Sequence, residues 1–345
     1  MKIGVISSMV PHIDGGYRMF VNQLVPELER AGHVVEVVWL PFSSDPKTML
    51  SEMLGFRMMN LDDIFDLVIC CRPPAHVVKH RRKVVWFIHH ERVFYDLWDS
   101  EHNTIPKSAY WKGFRAQLMR ADTKCLREAH AVFSNSQVVA DRLMAFNAIA
   151  AEVLYPPLAG DVQFDSNAHG AELAFVCRIE EHKRQHLAVK AMSFTKSPVR
   201  LRIAGRSQNP NYLESLQSFV ELNRLRDRIT LDHRWISEGE KRHLLANALG
   251  VVYIPVDEDS YGYPTLEGAC AERPIVTVSD AGGVGEFVED GISGLITAPT
   301  PEALGEAFDR LWNDRMLAAK LGEGALRRIN ELSIRWDHVV ARLTA

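Results

Sequence analysis

What most constrains this chain is a rhythm that runs through it twice: a short apolar run, a loop, then a segment with helical spacing. Residues 3–7 read as a short buried strand running straight into a loop over 8–16. Phe20, Leu24 and Leu28 then recur at helical spacing until Gly32 stops the helix. A second apolar strand follows at 34–40, and further buried strands are legible at 67–71, 84–88 and 131–133. Largely apolar runs of this kind belong to parallel sheets covered by helices on both faces. Pro26 falls where a helix interior is expected and predicts a kink there.

The rhythm breaks at Val153-Leu154-Tyr155-Pro156-Pro157-Leu158, because two prolines continue neither a helix nor a central strand. It then restarts, with strands expected at 173–176, 201–204, 229–231, 251–255 and 274–278. Helices are expected at 182–192, 211–225, 237–249, 263–271 and 301–315. The expected fold class is therefore α/β: two Rossmann-like, doubly wound domains facing a cleft, with ligands bound beyond the carboxyl ends of the strands. We place the first domain at 1–158, the second at 159–330, and a last helix around 334–343 within 331–345.

At 345 residues the chain has room for a buried core in each half. A formal net charge of −4 supplies no basic field for nucleic acid, and 47% hydrophobic residues without a low-complexity tract exclude disordered and fibrous classes. Five cysteines, an odd number without C-x-x-C spacing, sit mostly in apolar runs and point to a reducing compartment. The apolar run at the N-terminus is too short for a signal peptide, and no stretch approaches 18 apolar residues. The expectation is a soluble, cytoplasmic protein free to touch a membrane from outside. Lys79-His80-Arg81-Arg82-Lys83 is the densest cationic run. Such a run is usually a solvated loop; as a membrane-surface patch it would contribute roughly 1 kcal/mol per cation near anionic lipid.

Three segments carry candidate chemistry. Ala281-Gly282-Gly283-Val284-Gly285-Glu286 follows a strand and is expected to open a helix whose backbone N–H groups could receive an anion. It does not match G-x-G-x-x-G, and no G-K-[ST] occurs, so a plain glycine turn competes with that reading. Gly15-Gly16 in the first loop carries the same ambiguity. Arg178 and Lys183 stand past a strand and at a helix start, where cations oppose the macrodipole unless an anion or solvent meets them. A diphosphate would meet them; for Arg184 a solvated loop suffices.

The third segment runs from Asp257 to Glu267. Asp257-Glu258-Asp259 has the D-x-D form of a divalent-metal site. Alternatively Asp259 and Glu267, separated by seven residues, bind hydroxyls at two ends of one ligand, since a carboxylate accepts two hydrogen bonds from a vicinal diol. The bland alternative makes Asp259 a helix N-cap and Glu267 a solvated helix residue.

Taken in order, these segments resemble the family 4 retaining glycosyltransferases of the GT-B fold. The chain's "DSYGYPTLEGAC" stands against that family's "EGFGLPPLEAMA". Further likenesses are "GG" after the first strand, "SNS", the "YPP" hinge, "FVCRIEEHKR" and "AGGVGEFVEDGISGLI". The resemblance implies that Arg178 and Lys183 bind the donor diphosphate, Glu267 the ribose and Asp259 the sugar hydroxyls. Gly15, Gly16, Tyr261, Gly262, Gly282 and Gly283 would line the donor pocket. "VVWFIHHERVFYDLWD" resembles a segment in which a histidine approaches the sugar, with His89 the candidate and His90 its neighbour. His89, Asp259, Arg178 and Lys183 are thus the candidate catalytic set. Asp259 departs from the family, which usually has Glu there.

The implied activity is retaining, metal-independent transfer of a hexose from a UDP- or GDP-sugar to a hydroxyl of a saccharide, lipid-linked or small-molecule acceptor. No cofactor and no metal is expected. The resemblance also implies that the last helix crosses back onto the first domain. Two alternatives stay open: another GT-B nucleotide-sugar enzyme such as an epimerase, and a non-catalytic nucleotide-sugar-binding partner of a transferase complex.

Overall fold

The computed structural model of the chain describes all residues except 11–15, 101–102, 160–163 and 165–169. The chain divides into two compact units. The first is Met1–Pro157 with Ile334–Ala345, and the second is Leu158–Ser333. Each holds a six-stranded, wholly parallel sheet among the described residues.

The first unit runs β1 (Lys2–Met9), α1 (Gly16–Arg30), β2 (Val34–Pro41), α2 (Met49–Arg57), β3 (Leu67–Cys70), β4 (Lys83–Phe87), α3 (Ala109–Arg127), β5 (Ala131–Ser134), α4 (Gln137–Asn147) and β6 (Glu152–Val153). Its strand order is β2-β1-β3-β4-β5-β6. The pleat sends alternate residues of β4 to opposite faces. Val84 and Trp86 join one core with Phe20, Leu24 and Leu28 of α1, while Val85 and Phe87 join another with Val139 and Leu143 of α4.

The second unit runs β7 (Glu172–Val176), α5 (Gln185–Ala191), β8 (Arg200–Ala204), α6 (Pro210–Leu222), β9 (Ile229–Asp232), α7 (Glu238–Ala246), β10 (Gly250–Val252), α8 (Tyr263–Cys270), β11 (Ile275–Val278), α9 (Val284–Phe287), β12 (Gly294–Thr297), α10 (Pro301–Asn313) and α11 (Arg315–Glu331). Its strand order is β12-β11-β10-β7-β8-β9. From β7 the chain winds outward to β9, then returns to build the other half from β10. The topological switch point therefore lies between β7 and β10, where open α/β sheets bind ligands.

The last helix, α12 (Trp336–Thr344), packs on the first unit, as the resemblance implied. Trp336, Val339, Val340 and Leu343 enter the core beneath α1, with Trp336 edge-on to Trp86 at 6.4 Å. Arg342 bonds Glu152 on β6 through Nε at 2.9 Å.

Helix α1 runs through Pro26 to Arg30. Proline removes the donor to the Asn22 carbonyl, but both residues face solvent, so water can replace it. Several expectations are corrected. Val153, expected to begin the linker, instead ends the last strand of the first sheet, where Phe133 and Ser134 pair with Glu152 and Val153. The expected helix over 182–192 is split, because Arg184 adopts a left-handed backbone (φ 58°) between a 3-10 turn at Glu181–Lys183 and α5. The glycine segment opens only the single turn α9. Elements α2, α3, α4, α11 and β12 had no counterpart in the sequence reading.

The cationic run at 79–83 is not one surface. Lys83 is buried and donates to the carbonyls of His76 (2.9 Å), Val78 (3.1 Å) and Cys125 (2.8 Å). The buried His80 ring lies between the carbonyls of Arg82 and Phe65, both at 2.9 Å, and Arg82 bonds the carbonyls of Thr344 and Ala345 at 3.0 Å. Lys79 and Arg81 remain exposed. A turn at Arg81 and Arg82, closed by Arg82 N–H on His80 Nδ1 at 3.0 Å, leads into β4 and divides the run. Among the described residues no helix is long and apolar enough to cross a membrane. All five cysteines are free.

Because Leu343 is fully buried under α1, Leu343→Ala leaves a cavity and should cost the first unit about 2–5 kcal/mol. Urea titration followed by tryptophan fluorescence measures it; a loss below about 1 kcal/mol would mean that α12 is only loosely docked.

Candidate functional site

Three loops of the second unit leave the carboxyl ends of adjacent strands: 177–184 after β7, 253–262 after β10 and 279–283 after β11. They contain most of the donor-site residues expected from the sequence, and they are tied to one another. Val256 N–H donates to the His182 carbonyl at 2.9 Å, and Asp257 N–H to the Asp280 carbonyl at 3.0 Å. Glu258 and Gly282 form a parallel bridge, with Glu258 N–H on Ala281 O (3.3 Å) and Gly283 N–H on Glu258 O (2.8 Å).

Arg184 is the strongest tie. It is buried, contrary to the solvated-loop expectation, and its Nε donates to Ile254 O at 2.8 Å while its other nitrogens grip Asp280 at 2.7 and 2.9 Å. One guanidinium thus joins all three loops, using the fork geometry that a lysine lacks.

Lys183 is buried beside it. Its Nζ donates to the Tyr253 hydroxyl at 2.9 Å and to Glu258, and Tyr253 in turn donates to Glu258 at 2.9 Å. Burial alone would raise the Glu258 carboxyl, but the Lys183 ammonium and the hydrogen bonds from Lys183 and Tyr253 carry it below its ordinary value. Burial, then the Glu258 charge, pushes the Tyr253 hydroxyl well up. The carboxylate is therefore ionised and the phenol neutral at neutral pH.

Arg178 stands apart from this burial. Its side chain is 60% exposed and its NH1 meets Glu180 at 2.7 Å, a pair weak enough to exchange. Glu267 is buried on α8, not solvated, and its Oε1 accepts from Lys241 of α7 at 2.6 Å. Burial pushes the Glu267 carboxyl up, with Lys241 opposing. The N-cap of α8 is Gly262, so Asp259 does not cap that helix. Asp259 lies half-buried in the tied loop.

The glycines have stereochemical reasons. Gly282 has φ +65°, and a Cβ there would stand 2.4 Å from the Glu258 carbonyl oxygen. Gly262 has φ +72°, and its Cβ would meet the Tyr253 ring at 2.3 Å. Side chains at either position would break the packing that aims Glu258 and Tyr253 at Lys183. Gly283 commits its N–H to Glu258, so that donor is not open to an anion. Tyr261, expected to line the donor pocket, is buried, with its ring near that of Phe287 (centroids 5.9 Å). Among the described residues no three His, Cys, Asp or Glu side chains are grouped to hold a metal ion.

In the first unit, Gly15 lies outside the described residues and Gly16 opens α1. His89 is half-buried after β4, with Nδ1 2.7 Å from the His90 carbonyl. His90 is a core residue: its Nε2 lies 2.9 Å from Asn147 Oδ1 and its ring 4.1 Å from that of Tyr95. Burial drives its imidazole down to about 4, against the bond to Asn147.

Arg184, Tyr253, Glu258 and Lys241 had no assigned role in the sequence reading. Their partners lie 70, 70, 75 and 26 residues away, so no local spacing marks them.

The fold is that of the GT-B glycosyltransferases. The chain aligns with HepE from Anabaena in complex with UDP over 100% of this chain and 98% of that one, with TM-score 0.72 and 17% identity. It aligns with a sucrose-phosphate synthase from Thermosynechococcus elongatus over 99% and 97%, with TM-score 0.77 and 16% identity. Residues 162–328, most of the second unit, match the family described as glycosyl transferases group 1. The chain is 31% identical over 127 residues to an alpha-1,3/1,6-mannosyltransferase of Dictyostelium discoideum, covering 37% of this chain and 30% of that protein. It is 29% identical over 107 residues to the O-antigen chain mannosyltransferase C of Escherichia coli, covering 30% and 29%. The chain thus spans under a third of the length of these two relatives.

The depressed His90 value carries a pH dependence. A neutral buried ring contributes fully above the unfolded value of 6.5, and that stability is lost as pH falls from 6.5 toward 4. The loss should approach about 3 kcal/mol. Denaturant midpoints at pH 7 and pH 4.5 measure it; a wild type no more acid-sensitive than His90→Gln would contradict the assignment.

Proposed function

We propose that the chain is a glycosyltransferase that moves a hexose from a UDP- or GDP-sugar to a hydroxyl of a saccharide, lipid-linked or small-molecule acceptor, with retention and without a metal. The reading is carried by the placement of Lys183. A buried ammonium stands at the switch point of the second sheet, within the segment matching glycosyl transferases group 1. The names of the relatives and the UDP bound by HepE support a nucleotide-sugar donor.

The chemistry follows from charge. Breaking the anomeric bond builds negative charge on the leaving diphosphate, which Lys183 and Arg178 are placed to stabilise. Arg178, the exposed member of its pair with Glu180, exchanges that partner for phosphate. The acceptor hydroxyl attacks from the face that the leaving group vacates, and a phosphate oxygen takes its proton, so no protein nucleophile is needed. One oxygen of Glu267 is held by Lys241, which fixes the carboxylate for a ribose hydroxyl. Asp259, one methylene shorter than Glu, takes the sugar hydroxyls. The second unit is assigned the donor and the first the acceptor, with His89 as the first unit's candidate contributor.

Two measurements test this reading. Glu267→Gln keeps the shape of the side chain but loses its charge, and should weaken binding of free UDP or GDP about 10- to 100-fold. Asp259→Ala should leave free-nucleotide affinity nearly unchanged while weakening binding of the intact donor. Calorimetric titration with nucleotide and with nucleotide-sugar decides, and equal nucleotide affinity for wild type and Glu267→Gln removes the ribose assignment. Separately, turnover should survive EDTA. Complete loss restored by Mn²⁺ or Mg²⁺ would revive the D-x-D reading of Asp257 and Asp259.

A further inference from the structure

The carboxylate on Lys183 is not the one that the resemblance selects. The signature places its first acid at Asp259, whereas the side chain bonded to the ammonium belongs to Glu258. Several features aim it there. Asp257 adopts a left-handed backbone (φ 42°), unfavourable for a residue with a Cβ, and its N–H is bonded to Asp280, which Arg184 grips. Glu258 itself is fixed at both backbone groups by the glycine loop. Its carboxylate takes hydrogen bonds from Lys183 and Tyr253 together.

We propose that Glu258 competes with a bound diphosphate for the Lys183 ammonium and so limits how tightly the nucleotide product is held. This rests on the reading of Lys183 as the diphosphate cation. A phosphate oxygen and the Glu258 carboxylate, each hydrogen-bonded to one ammonium, stand no more than about 6 Å apart, twice the length of a charge-assisted hydrogen bond. Two anions at that separation repel in a partly buried site. The Lys183 side chain is 10% exposed and that of Glu258 25%, so the lysine is the fixed member and the glutamate the one with room to turn toward solvent. The loop backbone need not move, since the peptide groups of Glu258 are anchored independently of its side chain.

The competition has a directional consequence. A diphosphate binds at the cost of the Glu258 pair, and Glu258 regains the ammonium as the nucleotide leaves. Glu258 is therefore a residue that weakens nucleotide binding, the opposite of what a carboxylate contacting the ligand's hydroxyls would do. No bond is made or broken in the exchange.

The test uses the full chain and equilibrium binding of UDP, GDP and ADP, with uridine, guanosine and adenosine as probes lacking the diphosphate. For whichever diphosphate binds best, Glu258→Gln should tighten binding about tenfold and leave its nucleoside unchanged. Glu258→Asp, which keeps the charge, should stay nearer to wild type. Glu258→Ala also removes the charge and gives a second readout if melting shows the Gln variant to be unstable. Lys183→Ala should weaken diphosphate binding. If it does, while removal of the Glu258 charge leaves affinity equal or weaker, the competition is overturned and the site reading survives. If Lys183→Ala binds all three diphosphates as well as wild type does, or if wild type binds none of them, the reading of Lys183 itself fails.

Discussion

The second unit depends on the cost of burying two neighbouring cations. A charge taken out of water must find partners that replace its hydration, and a guanidinium needs several at fixed angles. Arg184 finds them on two other loops: carbonyls after β10 and a carboxylate after β11, from a backbone that has just left β7. Lys183 finds Tyr253 and Glu258. These bonds turn loops that end separate strands into one assembly, and the left-handed turn at Arg184 lets two consecutive cations serve it. Removal of either partner set would leave a buried charge uncompensated, so the arrangement is held more firmly than its loop origin suggests.

The first unit follows the same rule. Asp122, buried on α3, accepts from Tyr95 at 2.5 Å and lies 2.9 Å from His76 Nε2, while Asn147 lies against His90 and donates to Thr123. Lys83 is satisfied by three carbonyls. This polar network fixes the segment that follows β4, next to His89. A hydrogen-bonded core of this kind is directional and favours one arrangement of its members, where an apolar core would tolerate several.

The two acidic positions that meet the second unit's cations show how one residue of register matters. Glu258 stands at the bridge to Gly282, and its carboxylate is bonded to Lys183 and Tyr253, while the neighbouring Asp259 lies half-buried in the same loop. The Glu258 side chain faces Lys183 because its backbone is bridged to Gly282. Glu267, on a helix one turn beyond Gly262, meets a cation of a different helix, Lys241. Glu258 and Glu267 are thus each matched to a different cation.

Buried strands, the helix face of α1 and the repeated α/β plan were legible in the sequence, because apolar periodicity records which face of an element is buried; the docking of α12 was implied only by the resemblance. The segments at 178–184, 257–267 and 281–286 were legible as places where a strand ends in charged or glycine residues. What lies across space was not. The expected solvated Arg184 is a buried clamp, the expected cationic surface at 79–83 contains a core lysine, and the short strand Glu152–Val153 has too few residues to carry a period. By itself the sequence determined which residues could form two parallel sheets and which charged side chains gather at strand ends. Only the tertiary structure decided which carboxylate neutralises which cation, because an ion pair is set by the distance between atoms brought together from dozens of residues apart, and sequence spacing does not encode that distance.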